Sequence, residues 1–417
     1  MRLLAIFLGL SLFAAACGDD DDTEAAEEDG EAQEDEGTED EVQADPETDR
    51  LVIGHVWPET GPLGFLGPPM RVGADFAIED INAAGGVLDQ DVELRTADEG
   101  ETPETARESA VRLLGEGVNA ILGAAASGSS QEFIQILFEN DMPQCSGSNT
   151  SPAFADQDNN AFYYRTVPGD EAVSPVIADQ VVADGHANVA VVNRNDDYGI
   201  ALGELIDEGL QAANVESQLI SYDPEAASFD AEVEEIVGAS PDAVVLVSFD
   251  EGGQIIAGLL ERGLTPDQMY GSDGVFGPTL PGLVSESDPN IIDGMSVIGA
   301  AGDEEFNNRI AEPTENNYLY GGQYYDCVIV TALAAEAAQS VAGQDILDQV
   351  EAVTNDGTAC TTYEECKGLL DEGEDIDYNG VAGNLDISGT DPTAARYAIG
   401  QFQEGELVIV DSVDVDV

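Results

Sequence analysis

Basic residues are scarce in this chain. Twelve Lys and Arg stand against 86 Asp and Glu in 417 residues, a formal net charge of −74. A surface this acidic repels the phosphates of nucleic acid, which excludes that class of partner, and it fits a salty habitat. Histidine is scarcer still, with only His55 and His186. His186 follows Asp184-Gly185 in a turn and is expected to be exposed. His55 lies at a strand end, where a structural role is expected. Neither a G-x-S-x-G nor a G-x-x-x-x-G-K-[ST] loop occurs, and no nucleophile-and-base set stands out, although a carboxylate pair could hide among so many acids. The expectation is a protein that is not an enzyme and needs no cofactor and no metal. Beyond the first residues there is no second long apolar run, so nothing here forms a pore.

The first residues read as an export signal. Arg2 supplies a positive start, Leu3 to Phe13 is a short apolar run, and Ala14-Ala15-Ala16 is a small-residue stretch. The run falls short of the ~20 residues a membrane helix needs, so residues 1–16 are expected to be a signal peptide. Cys17 follows at once and resembles the lipidated cysteine of a bacterial lipobox, although Ala14 stands where Leu is usual. Residues 18–50 carry 18 Asp or Glu and one Arg. They cannot bury enough surface to offset ordering entropy. A disordered acidic tether over 17–50, stretched by its own charge behind a membrane anchor, is the plain reading.

Four further cysteines permit three disulfide pairings in an oxidising compartment. Cys360 and Cys366 are close in sequence and could clip a small loop, which would leave Cys145 with Cys327. Metal binding is the rival, weakened by the absence of C-x-x-C spacing and the distance of both histidines.

From Leu51 onward, short apolar strands alternate with amphipathic helices. Strands are expected at Leu51 to Val56, Val92 to Leu94, Ala120 to Gly123, Val189 to Val192 and Asp242 to Val247. Between them, Val72 to Asn82 places Val72, Phe76, Ala77 and Ile81 on one helical face, and Ala84-Gly85-Gly86 stops it. Thr102 to Leu114 has an N-cap at Thr102 and Pro103 at N1. Further helices are expected at Ser130 to Asn140, Ile200 to Ala212, Gly253 to Arg262 and Tyr325 to Val341. The tail, Arg396 to Phe402 and Leu407 to Val410, reads as a hairpin around Glu404-Gly405. Strand–helix alternation over about 367 residues predicts an α/β protein of two doubly wound parallel-sheet lobes. In such sheets ligands bind at the carboxyl ends of the strands.

Two of those strand ends run into hydroxyl-rich loops, Gly123 to Ser130 and Cys145 to Pro152. A helix N-terminus beside hydroxyls can hold a carboxylate, although capping is the plainer role for either loop taken singly.

These loops belong to a longer ordered series. It starts with Thr60-Gly61-Pro62-Leu63, Gly73-Ala74 and Asp80-Ile81-Asn82-Ala83-Ala84-Gly85-Gly86. It continues through the loop at Ser127 to Ser130, Thr150-Ser151-Pro152, Arg165-Thr166, Asp197-Tyr198-Gly199, Gly271-Ser272-Asp273-Gly274 and Tyr325-Asp326. Over residues 51–410 the chain resembles the branched-chain amino-acid binding proteins, substrate receptors of ABC importers with the type I periplasmic binding protein fold. The resemblance implies two lobes joined by a multi-crossing hinge, residues 51–167 with 298–385 and residues 168–297 with 386–417. It implies an extracytoplasmic, lipid-anchored monomer that closes on a small amino acid and docks on a membrane permease. Amides, urea-like compounds and aromatic acids are alternative ligands, and a signalling receptor an alternative partner. Ser127 and Thr150 fall at the ligand carboxylate, Ser148 in the Ser148-Asn149-Thr150 loop at the ammonium through its carbonyl, and Asp273 at the ammonium as the acidic partner. The shorter Asp where Glu is common alters reach and leaves ligand identity open. Tyr198 and Phe249 fall at the second-lobe wall, with Phe65, Tyr320 and Trp57 as first-lobe walls. Both Cys145 and Cys327 map to the first lobe, which favours their pairing.

Overall fold

The computed structural model describes residues 50–155 and 161–417. The expected export signal, Cys17 and nearly all of the expected acidic tether lie outside the described residues.

The first lobe opens with β1 (Val52–Trp57), α1 (Gly67–Ala83), β2 (Glu93–Asp98), α2 (Pro103–Gly115), β3 (Ala120–Leu122), α3 (Ser127–Glu139), β4 (Gln144–Ser146) and β5 (Tyr163–Arg165). Its sheet runs in the order β2-β1-β3-β4-β5, with every pairing parallel. Parallel neighbours need crossovers, and the helices supply them. The helix starts follow local chemistry: the Thr102 side chain accepts from the Thr105 N–H at 3.3 Å, and Pro103 takes N1 where its missing N–H costs nothing. Ala77 and Ile81 of α1 are buried, and Val72 and Phe76 pack beside them half-buried.

The chain then builds α4 (Asp170–Ala183), β6 (Asn188–Arg194), α5 (Asp197–Ala212), β7 (Glu216–Tyr222), α6 (Asp230–Ala239), β8 (Ala243–Val247), α7 (Gly252–Glu261), β9 (Met269–Gly271), α8 (Leu280–Val284) and β10 (Ser296–Ala300). It returns to the first lobe with α9 (Glu304–Ile310), α10 (Gly321–Ala338), α11 (Gly343–Val353), β11 (Thr358–Cys360), α12 (Tyr363–Asp371), β12 (Ile376–Gly380) and β13 (Gly383–Asn384), the last three strands forming a small sheet. The tail hairpin, β14 (Ala394–Gln403) and β15 (Glu406–Asp416), completes a seven-stranded second sheet in the order β15-β14-β10-β9-β8-β6-β7. Strands β10, β9, β8, β6 and β7 are mutually parallel, β14 runs antiparallel to them, and β15 pairs antiparallel with β14 at the other edge. Because β10 pairs with β14 through Ala300, residues 298–300 stay in the second sheet, where the sequence reading assigns them to the first lobe.

α10 is buried along almost its whole length, which explains why it is mostly apolar, with Gln323, Asp326, Thr331 and Glu336 as its buried polar groups. It crosses α1 so closely that a Cβ on Gly73 would meet the Gly321 carbonyl oxygen at 2.0 Å. A disulfide from Cys327 on α10 to Cys145 on β4 ties it to the sheet, with Cα atoms 5.8 Å apart. A second, Cys360–Cys366, joins β11 to α12. Among the described residues no single helix is long and apolar enough to cross a membrane.

Two of the crossings between lobes are pinned by Arg165 at the end of β5. Its Nε and Nη2 donate to the two carboxylate oxygens of Asp391, each at 2.7 Å, and its backbone N–H donates to the Thr390 carbonyl. The first crossing is thereby tied to the third.

Candidate functional site

Strand β3 ends at Leu122, and the chain turns at once through Gly123. That residue has φ +91°, and a Cβ there would lie 2.1 Å from the Val56 carbonyl oxygen, so only glycine fits. The turn delivers Ser127 as the first residue of α3, whose opening N–H groups have no partner within the helix. Glu99, at the end of β2, sits against this start. Its carboxylate accepts from the N–H groups of Ala125 at 2.8 Å and Ala126 at 3.0 Å. Burial raises its pKa to about 7 against those two bonds.

The neighbouring loop is sewn to the first. Ser146 Oγ accepts from the N–H groups of Ser148 and Asn149 at 3.2 and 3.1 Å. The Asn149 amide donates to the carbonyls of Ala124 and Ala125 at 3.0 and 2.9 Å. The Ser148 hydroxyl donates to the Ala125 carbonyl at 3.1 Å and lies 3.2 Å from the Tyr324 hydroxyl. Ser127 Oγ accepts from the Ser151 N–H at 3.4 Å, and Arg165 Nη1 donates to the carbonyls of Asn149 and Ser151. Both loops are therefore held rigidly by bonds that do not need a ligand.

The second lobe faces them with an acid and two rings. Asp273 follows β9 in a tight turn and is nearly fully buried. It accepts from the hydroxyls of Tyr198, on α5, and Tyr320, at the start of α10. Tyr320 belongs to the first-lobe helix, so this bond spans the lobes. Its backbone holds φ +62°, an uncommon value for a bulky residue and one that directs the side chain to the cleft. Burial pushes the Asp273 carboxyl above its usual range, against the two tyrosine bonds. The Tyr198 ring stacks on Phe249 with centroids 5.3 Å apart, and the Arg194 guanidinium lies over the Phe249 ring at 3.6 Å.

These groups enclose a narrow cavity between the lobes. Ser127 and Ser148 line one side, Tyr198, Phe249 and Asp273 the other, and Tyr320 closes it. Leu63, Leu66 and the backbone at Ala125, Ala126 and Gly274 complete the wall. Wider grooves lie elsewhere among the described residues, for example near Asp80 and Arg309 and near Tyr318 and Ile409, and neither of these two gathers the residues expected from sequence.

Six of the ten expected ligand residues therefore meet in one cavity. Asn149 and Thr150 are buried behind it rather than in its lining. Phe65 does not line it either, but its ring packs on Gly277 of the second lobe. Trp57 is turned aside: its ring lies against Gly67 and under the Arg71 guanidinium at 5.7 Å. His55 is in the middle of β1, not at a strand end, and is fully buried without a hydrogen-bond partner. Burial lowers its pKa to about 3, so it is a neutral core ring. His186 is half-buried rather than exposed, with Nε2 3.0 Å from the Tyr270 hydroxyl. Leu63 and Leu66 were not singled out by sequence as lining residues, since apolar residues in a turn carry no signal of their own. Glu99 was hidden among the many other acids.

The profile described as periplasmic binding protein matches residues 51–371. A Leu/Ile/Val-binding protein homolog of Brucella melitensis biotype 1 is 27% identical over 218 residues, 51% of this chain and 59% of that protein. The chain thus spans about three fifths of the length of the first curated relatives it matches. BasB of Halobacterium salinarum, a substrate-binding protein of a chemotactic signal transduction system, is 24% identical over 85% of this chain and 87% of its own. Among solved structures, the leucine binding protein LivK of Thermotoga maritima superposes with a TM-score of 0.73 at 20% identity, over 87% of this chain and 98% of that one. A Rhodopseudomonas palustris solute binding protein in complex with p-hydroxybenzoic acid gives 0.71 at 14% identity, over 88% and 98%. With a profile match over most of its length and the same two-lobed α/β architecture around an interlobe cavity, the chain belongs to the periplasmic binding protein family.

Proposed function

We propose that this protein is the substrate-binding component of an ABC importer for branched-chain or other small aliphatic amino acids. The observation that carries the reading is the composition of the interlobe cavity. A helix start with Ser127 and Ser148 faces the carboxylate of Asp273, and Leu63 and Leu66 lie beside them. A zwitterion taken from water needs both charges paired. Hydroxyls and helix N–H groups suit its carboxylate, Asp273 and the Ser148 carbonyl suit its ammonium, and the leucines suit an aliphatic side chain. Closure of the lobes over the ligand would present one surface to a membrane permease. The export signal and Cys17 support an extracytoplasmic, lipid-anchored location, with the acidic segment as tether. Loss of a lipid-sized mass from the mature protein on Cys17→Ser would check the anchor.

The test is thermal unfolding with leucine, isoleucine and valine, and separately with benzoate, 4-hydroxybenzoate and small amides. A ligand at 100 times its dissociation constant stabilises by about 2.7 kcal/mol, a clear shift. A shift with the aliphatic amino acids is expected. A shift only with an aromatic acid would keep the receptor and replace its substrate. The stacked Tyr198–Phe249 pair favours that second reading, because it offers a flat apolar wall.

A further inference from the structure

The cavity that gathers the expected ligand groups is small. Its volume is about 20 Å³, room for little more than one water. A second chamber of about 110 Å³ lies against it, also between the lobes, and the two share Leu63, Ala126 and Phe249 as walls. The first lobe gives this chamber Pro58, Pro62 and Pro103, and the second gives it Arg194 and Asp196. An amino acid whose charged ends sit between Ser127 and Asp273 needs space for its side chain, and of the two cavities this one has it.

Arg194 is the cation of the chamber. It ends β6 and is only 8% exposed. Its Nε donates to Asp196 at 2.5 Å and its Nη1 to Glu251 at 2.7 Å, while the guanidinium lies over the Phe249 ring. Asp196 also accepts from the Gly199 N–H at the start of α5, and Glu251 from the Tyr222 hydroxyl, so both anchors are themselves held. The Arg194 Nη2 group has no hydrogen-bond partner among the described residues. Buried donors are nearly always paired, so a fixed guanidinium with one free amino group points to a ligand acceptor. The charge around it says which kind. Asp196 and Glu251 already outnumber the one cation, and Glu99 and Glu101 add carboxylates on the first-lobe side. A second anion entering this chamber would meet net negative charge, whereas a neutral carbonyl oxygen accepts from Nη2 and brings no charge.

We propose that Arg194 is a specificity-determining residue whose Nη2 donates to a neutral carbonyl at the end of the ligand's side chain, so that the receptor prefers a carboxamide amino acid such as glutamine to an aliphatic one of the same shape. The inference rests on the amino-acid reading above and narrows its side chain. The carboxamide oxygen takes the free donor, and its NH2 group faces acids, Asp196 and Glu101, that an aliphatic group leaves unused. Leucine still enters, because the prolines and Phe249 offer apolar walls, but it leaves Nη2 unpaired. A site built to hydrogen-bond a ligand group discriminates against the analogue that lacks it, since its own buried donor is then stranded.

The experiment is calorimetric titration of the wild-type protein with leucine, glutamine, glutamate and homoleucine, the last having methyl groups where glutamine has its amide oxygen and nitrogen. Glutamine is expected to bind about tenfold tighter than homoleucine, and glutamate more weakly than glutamine. In Arg194→Lys, which keeps the charge and loses the fork, the ratio of glutamine to homoleucine affinity should fall to about one. A general loss of fold or closure weakens both ligands and leaves that ratio alone. Leucine binding with glutamine no tighter than homoleucine overturns the inference and leaves the amino-acid reading intact, without any variant that might misfold. Glutamate binding tighter than glutamine overturns it too, as does a ratio unchanged in Arg194→Lys or a wild-type crystal structure with the glutamine side-chain oxygen away from Nη2. If none of these amino acids, nor isoleucine or valine, binds the wild type, the amino-acid reading fails and takes the inference with it.

Discussion

The two lobes reach stability by different means. In the first, strands β3, β4 and β5 are only three residues each, too short to carry much of a sheet. Both disulfides lie there, one of them fastening the buried helix α10 to β4. In the second, β6 and β7 run seven residues, β14 ten and β15 eleven, and β8 is a wholly buried Ala-Val-Val-Leu-Val. Among the described residues it holds no cystine. Long strands and a continuous aliphatic core do in one lobe what covalent staples do in the other. The cleft repeats the contrast: neutral hydroxyls and backbone on the first side, an acid and aromatic rings on the second. On the proposed reading neither face alone matches a zwitterion, so ligand affinity is expected to depend on closure.

The largest expected effect tests the stapling. The Cys145–Cys327 bridge closes a span of 182 residues, and the Cys360–Cys366 bridge a span of 6. If chain entropy dominates, removing the first costs about 5 kcal/mol and removing the second about 2. Denaturant unfolding of the two double Cys→Ala variants should preserve that order. Equal losses would mean that local packing, not loop closure, sets the value of both.

Next comes the joint between the lobes. Arg165→Ala leaves the Asp391 carboxylate without its partner and frees the carbonyls of Asn149 and Ser151. Breaking a buried pair from one side costs about 3 kcal/mol, the lower end of the range, because Asp391 is partly open to solvent. Urea titration measures it. The same variant should also weaken ligand binding, since the loop it releases is the one that presents Ser148 to the cavity. A stability loss with unchanged affinity would separate hinge from site.

The chemical contrast across the cleft predicts unequal losses in affinity. Asp273→Ala removes a charged contact, worth about 2 kcal/mol or about thirtyfold in the dissociation constant. Ser127→Ala removes a neutral one, worth about 1 kcal/mol or about fivefold. Titration with leucine reads both. A larger loss at Ser127 would reverse the assignment of charge to the second lobe.

The architecture was legible because strand and helix periods alternate cleanly, and the helix boundaries at Thr102-Pro103 and Ala84-Gly85-Gly86 were written in residue types with strong local preferences. The polar half of the cavity was legible too, because Ser127, Ser148, Tyr198 and Asp273 sit at or just beyond strand or helix ends on the cleft side of the sheets. What sequence could not show was side-chain direction and individual acids. Trp57 is at a strand end as expected, yet packing under Arg71 turns its ring away. Glu99 is buried against the start of α3, but in a chain of 86 acids its sequence context did not set it apart. β15 extends to Asp416, well past the expected Val410, with Val413 and Val415 half-buried on the core between exposed acids.

The smallest expected effect is also the most specific to closure. Phe65 of the first lobe packs on Gly277 of the second, where an added Cβ would meet the ring at 2.6 Å. Gly277 is not a positive-φ residue, so alanine there carries no backbone penalty and the only cost is the clash. The Phe65 ring is half-buried and can swing partly aside, which keeps the cost near the low end for overpacking, about 1 kcal/mol. In a form with the lobes apart the two residues do not touch, so the penalty falls on the closed state alone. Gly277→Ala should therefore weaken leucine binding about fivefold while leaving ligand-free thermal stability close to wild type. If the ligand-free protein is destabilised by the same amount and the affinity is unchanged, the lobes are already closed before ligand arrives, and selectivity comes from a preformed cavity rather than from closure.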